Sequence, residues 1–229
     1  MKKACERKLA VLLAVMLVFL SGCGQKNAAG AQESAAPEKP EVTALEFPCT
    51  LEGGKLEVTS LFQYSGDNPD CGGETGEDIG SLAVTNLSDQ HLTHATLVVL
   101  LAGGGKLAFE VQDVPAGQTV WAFETSNAVY DLDDLCVDIG WAAEFEPAAP
   151  VLRGVTAEAS GTTVTLTNTT SEDLTNLTVY CHCWFNELNF GGLTYAYPVS
   201  SIPAGESVEI QAEECYLGEA AVVRVSKGD

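Results

Sequence analysis

Basic residues are few: 11 Lys and Arg stand against 32 Asp and Glu, for a formal net charge of −21. Four of those bases (Lys2, Lys3, Arg7 and Lys8) and one acid, Glu6, precede residue 23, so the rest of the chain carries 7 bases and 31 acids, net −24. A surface of that sign repels phosphate backbones and anionic head groups, which excludes nucleic acid as a partner and polybasic contact with a membrane. Histidine is scarcer still, limited to His91, His94 and His182. There is no Gly-x-Ser-x-Gly elbow, no His-Glu-x-x-His and no phosphate-cradling glycine loop. His91 and His94 fall where a turn joins two strands, a position expected to be exposed and polar. Paired carboxylates arise by chance among so many acids and identify no glycosidase. No catalytic residue and no cofactor are assigned, and the expectation is a non-enzymatic protein. Helical periodicity is also missing after residue 45. The most the pattern concedes is one turn near Ala128 to Leu132, which excludes helical-bundle architectures.

What is present begins at the N-terminus. Lys2, Lys3, Arg7 and Lys8 form a positive n-region, and Leu9 to Leu20 an almost unbroken apolar h-region, as in a secretory signal peptide spanning 1–22. Leu20-Ser21-Gly22-Cys23 resembles the lipobox of bacterial lipoproteins. That resemblance implies cleavage before Cys23, acylation of its thiol and anchoring on the extracytoplasmic face of a bacterial envelope. Residues 23–44 are small, polar and rich in Ala and Pro, and cannot bury enough apolar surface to fold. They read as a disordered tether with a reach of roughly 25 Å as a flexible coil.

From Leu45 onward apolar residues recur with a period of two, as in Ser81-Leu82-Ala83-Val84-Thr85 and Thr163-Val164-Thr165-Leu166-Thr167. Glu52-Gly53-Gly54, Gly103-Gly104-Gly105, Ser160-Gly161 and Gly191-Gly192 supply turn signals between such runs. The chain is therefore all-β. It also repeats. Leu82-Ala83-Val84-Thr85-Asn86 matches Val164-Thr165-Leu166-Thr167-Asn168, and Val114-Pro115-Ala116-Gly117-Gln118-Thr119-Val120 matches Ile202-Pro203-Ala204-Gly205-Glu206-Ser207-Val208. The offset grows from 82 to 88 residues between the two matches, so the second copy carries six extra residues in its variable stretch. Pro and Gly suit the shared turn because one fixes φ and the other permits positive φ.

Regular antiparallel strands with turns between them predict two tandem immunoglobulin-like β-sandwiches. One spans 45–146 and the other 151–229, with 147–150 as a short Pro/Ala linker. The paired motifs resemble bacterial surface modules of the immunoglobulin/fibronectin-III-like class, such as CARDB or FxLYD-type domains. The Tyr-Asp pair of the FxLYD type is absent from the expected strand. Asn86, Asn168 and Asn176 stand in Asn-x-Ser/Thr sequons at strand ends and read as turn residues.

Six cysteines follow Cys23: Cys49, Cys71, Cys136, Cys181, Cys183 and Cys215. An even count in an exported chain reads as a framework of up to three disulfides. Each copy holds three, so full oxidation requires a bridge between copies; otherwise one thiol in each stays free. In Cys181-His182-Cys183 the two cysteines share a strand face with Leu177 and Val179, and His182 faces the other way. The thiols are expected to pair with separate partners such as Cys215 and Cys136, or to sit as small core residues. The alternative is a metal or thiol-redox centre built from Cys181, Cys183 and Cys215. The acidic stretches Asp67 to Asp78 and Tyr130 to Asp134 lack the fixed glycine and terminal glutamate of an EF-hand loop, and read as solvated loops.

The strongest functional signal is aromatic. Trp184, Phe185, Phe190, Tyr195 and Tyr197 cluster within 14 residues, around the segment that the first copy lacks. Flat exposed rings suit a sugar or protein partner, so this segment is the expected contact surface for an envelope protein or glycan. The competing expectation is that these rings cover a sheet face or seal the junction between the copies.

Overall fold

The computed structural model describes residues 43–228, apart from Glu52, Gly72, 148–150 and Asn186. The signal peptide, the lipobox with Cys23 and nearly all of the expected tether lie outside the described residues. So does most of the expected linker. Among the described residues, no helix is long and apolar enough to cross a membrane.

Among the described residues, thirteen strands run in the order β1 (Cys49–Thr50), β2 (Leu56–Asn68), β3 (Glu74–Asn86), β4 (His91–Leu101), β5 (Lys106–Val114), β6 (Thr119–Phe123), β7 (Cys136–Glu146), β8 (Val155–Ser160), β9 (Thr163–Asn168), β10 (Leu174–Phe185), β11 (Leu188–Ile202), β12 (Ser207–Gln211) and β13 (Glu219–Lys227). Two 3-10 turns, Pro69–Cys71 and Glu213–Cys215, punctuate them. No helical turn forms near Ala128; Val129 instead makes an isolated antiparallel bridge with Ile79.

The period-two pattern becomes a two-faced strand wherever it occurs. In β4, Ala95, Leu97, Val99 and Leu101 point inward, and in β9 Val164, Leu166 and Asn168 do so. The strands assemble into a seven-stranded sheet ordered β1-β2-β3-β6-β11-β10-β13 and two three-stranded sheets, β5-β4-β7 and β12-β9-β8. One apolar cluster joins β2, β3 and β6 to β4, β5 and β7, and a second joins β8 and β9 to β10, β11 and β13. The neighbour order β2-β3-β6 over β5-β4-β7 recurs as β8-β9-β12 over β11-β10-β13.

The repetition extends to individual hydrogen bonds. Asn86 Nδ2 donates to the carbonyls of Gln90 and Val114, at 2.8 and 2.9 Å. Asn168 Nδ2 donates to those of Glu172 and Ile202, at 2.8 and 2.9 Å. Ser88 N and Thr170 N donate to the respective Oδ1 atoms. In the Pro-Ala-Gly turns, Gln118 N donates to Pro115 O and Glu206 N to Pro203 O, with Gly117 and Gly205 at φ 75° and 72°. Both asparagines are fully buried, so each side chain satisfies backbone groups that the turn would otherwise leave unpaired.

The six extra residues of the second copy lengthen one strand: β11 has 15 residues where β5 has 9. Its register against β10 jumps, with Cys181 opposite Tyr195 but Cys183 opposite Phe190, so Gly191 to Thr194 bulge out of the ladder. That bulge reaches the other copy. Gly191-Gly192 is therefore no inter-strand turn; it lies within β11, against Val120 and the Asp70 carboxylate, where a Cβ on either glycine would collide. Phe190 pairs in parallel with Trp121 of β6, which makes the seven-stranded sheet continuous. Phe123 packs edge-on against Phe190 with centroids 5.2 Å apart, and Tyr64 against Phe123 at 4.4 Å. Ile79 of β3 and Phe123 of β6 belong to the second apolar cluster, with Tyr64 of β2 packed against it, so one face of the distal β2–β3 hairpin rests on the second copy.

Polar links reinforce the junction. His182 Nε2 lies 2.8 Å from Gln112 O and 3.1 Å from Thr194 Oγ1, and Thr194 N donates to Gln112 Oε1. Arg224 pairs with Asp113, Nε lying 2.8 Å from Oδ1, and its guanidinium stacks on Tyr180 at 3.9 Å. His91 Nε2 lies 3.1 Å from the same carboxylate. His91 is thus not an exposed turn residue. It opens β4 and is buried, because Asp113 on the neighbouring strand supplies a partner, whereas the His94 side chain is 42% exposed.

Candidate functional site

A cleft of about 200 Å³ opens where the tip of the β2–β3 hairpin meets one edge of the second copy. The hairpin contributes Asp67, Pro69 and Gly73. The end of β10 contributes Cys183 and Phe185, and β11 contributes Phe190 and Tyr195. The segment Glu214 to Gly218 completes the wall with Tyr216 and Leu217. The lining is predominantly apolar and aromatic, and among the described residues its only charged side chains are Asp67 and Glu214.

Three features hold it in shape. The Cys183–Cys215 disulfide forms part of the wall and clips the Glu213–Cys215 turn to the end of β10. Gly218 lets the chain pass directly over the Trp184 carbonyl, where any Cβ would overlap the oxygen. Tyr197 donates its hydroxyl to Glu214 Oε2, which fixes that carboxylate. Burial, together with this bond, raises the Tyr197 phenol well above its ordinary range.

Of the expected contact residues, Phe190, Tyr195 and Phe185 converge on the cleft. Trp184 has the opposite strand parity to Cys183 and Phe185 and does not line it. Tyr197 also lies outside the lining and acts through Glu214. The aromatic segment divides between the junction and the surface. Phe190 is buried and seals the junction, while Phe185 and Tyr216 are 37% and 63% exposed beside the opening. Tyr216 and Leu217 were not singled out from the sequence. Their one signal is adjacency to Cys215, whose disulfide carries them to Phe185.

One of the expected cysteine pairings is present. Cys183–Cys215 is the one disulfide among the described residues, and it lies within the second copy. Cys49, Cys71, Cys136 and Cys181 are unbridged, so neither three bridges nor a bridge between copies is seen. Cys71 Sγ lies 3.1 Å from the Thr125 carbonyl as a donor, and Cys136 and Cys49 sit in or against the first apolar core. Cys181 lies unbridged in the second core, and burial pushes its thiol up to about 12. The Cys181, Cys183, Cys215 trio therefore contains one protonated thiol and one closed disulfide, not three thiolates. His182, on the other face, is fully buried, and desolvation lowers it to about 4, leaving a neutral ring at the junction. Among the described residues no group of three or more His, Cys, Asp or Glu side chains is placed to hold a metal ion.

The first acidic stretch also departs from a solvated loop. Asp67, Glu74, Glu77 and Asp78 lie in β2 and β3, and Asn68 is buried. Asp70 turns its carboxylate into the junction, where Oδ2 accepts the Phe123 N–H at 2.8 Å and the carboxylate also accepts from the Leu193 backbone. Desolvation outweighs these bonds and raises Asp70 to about 7.

No family model matches this chain, and no curated protein matches it in sequence.

Proposed function

We propose that this protein is an envelope lipoprotein of the immunoglobulin-like class. It is held to the membrane through a lipid on Cys23 and works without catalysis, as a recognition module. Its contact surface is the cleft between the hairpin tip and the second copy, together with the exposed rings of Phe185 and Tyr216, and its partner is an envelope protein or glycan. The observation that carries this reading is the cleft itself. Exposed aromatic rings are costly to leave in water, and here they border a concave wall braced by a disulfide and assembled from distant segments. Nucleic acid is excluded by the chain's charge.

The test is binding of the purified full chain to cell-envelope material of the producing bacterium. Phe185→Ala and Tyr216→Ala are expected to reduce binding with unchanged melting temperature, and Leu87→Ala, an exposed apolar residue outside the cleft, to leave it intact. Equal binding by all three variants would refute the cleft's role. Incorporation of labelled fatty acid that disappears in Cys23→Ala tests the anchor.

A further inference from the structure

We propose that the cleft accepts a small organic cation, an alkylammonium or quaternary ammonium group on an apolar body; this rests on the reading of the cleft as a binding site. Size comes first. A volume of about 200 Å³ holds the equivalent of about seven waters at about 30 Å³ each, which suits one head group, free or carried on a larger partner.

Charge decides the class. Among the described residues, Asp67 and Glu214 are the only carboxylic acids in the lining, and no Lys, Arg or His accompanies them. The bases elsewhere are engaged or absent from the cleft: Arg224 is held by Asp113 and Tyr180, and Lys55 donates to Gln90. An anion would meet unopposed carboxylates. A neutral apolar ligand would strip water from those carboxylates and return nothing for it. A bare metal ion would face aromatic and apolar walls with too few oxygen donors. An organic cation satisfies both halves of the lining. Its charge sits near Glu214, held in place by Tyr197, while its apolar surface and field meet Phe185, Tyr195 and Tyr216.

The experiment uses the full chain in maltoside micelles at constant ionic strength, with ligand-observed NMR. The probes are choline and its uncharged carbon isostere, neohexyl alcohol. Choline is expected to bind saturably and about tenfold more tightly than the isostere. Tyr216→Leu should weaken choline about tenfold while changing the isostere by less than about twofold, and Tyr216→Phe should retain the preference. Glu214→Gln should lower the choline-to-isostere ratio. Because Tyr216 is mostly exposed, its variants should melt as the parent does. Equal binding of the two probes, or choline binding indifferent to Tyr216→Leu and Glu214→Gln, would overturn the inference and leave the cleft as a site for apolar groups. Failure of both probes would also overturn it. The envelope-binding comparison of Phe185→Ala and Tyr216→Ala then decides separately whether the recognition reading falls as well.

Discussion

Asp70 offers the sharpest quantitative test of how the two copies are joined. Its carboxylate is enclosed by β6, β11 and Gly192, and burial raises it from 3.8 to about 7. The folded state therefore keeps a proton that the unfolded chain releases at lower pH. Stability from this group is fully present below the unfolded pKa and is lost as pH rises through the folded one. Between pH 5 and pH 8.5 the loss covers about two pH units at about 1.4 kcal/mol each, or about 2 to 3 kcal/mol as an upper figure. Other carboxylates titrate in the same range, so the quantity to measure is the stability of the parent minus that of Asp70→Asn. The amide cannot ionise, and it resembles the protonated acid in shape. Urea unfolding at pH 5, 6, 7 and 8.5 should show the parent losing about 2 to 3 kcal/mol relative to Asp70→Asn as pH rises. A difference flat across the series, or one moving in the parent's favour, would refute the reasoning. It would show Asp70 to be a solvated or ion-paired carboxylate.

Further outcomes follow from the same geometry. Asn86→Ala and Asn168→Ala each strand a buried carbonyl, that of Val114 or Ile202, and a part-buried one at Gln90 or Glu172, and should each cost about 1 to 3 kcal/mol by chemical unfolding, equal effects marking equivalent roles. Gly192→Ala places a methyl on the Asp70 carboxylate and should lower stability by about 1 to 3 kcal/mol, measured the same way. Non-reducing peptide mapping should recover Cys183 linked to Cys215, with Cys49, Cys71, Cys136 and Cys181 alkylated once the chain is denatured. Cys183→Ser should cost about 2 to 4 kcal/mol and loosen the wall carrying Tyr216.

Local pattern was legible and long-range docking was not. Alternation in β4 and β9 specifies strands because a half-buried sheet needs one apolar face, and the Asn and Pro-Ala-Gly motifs specify turns through their own side-chain and φ requirements. These features are complete within a few residues. The join between the copies depends on residues far apart in the chain. Gly191-Gly192 has the composition of a turn and becomes a docking bulge only because Val120 and Asp70 lie against it. Asp70 sits in a run of acids that looks solvated until β11 folds over it. His91 looks like a turn residue until Asp113 is placed beside it. The cleft is half legible: the cluster from Trp184 to Tyr197 stands out by density and supplies Phe185, Phe190 and Tyr195, whereas Tyr216 is a lone aromatic whose place is set by the Cys183–Cys215 bridge.

The cleft is proposed as the place where this protein takes up an organic cation. The chain's six tyrosines make that directly measurable, since only Tyr195 and Tyr216 line the cleft. Fluorotyrosine labelling of the full chain, followed by fluorine NMR during titration with choline or neohexyl alcohol, should move the Tyr195 and Tyr216 signals saturably while Tyr130 and Tyr180 stay fixed. Stationary Tyr195 and Tyr216 signals, or saturable shifts confined to the other tyrosines, would contradict the account.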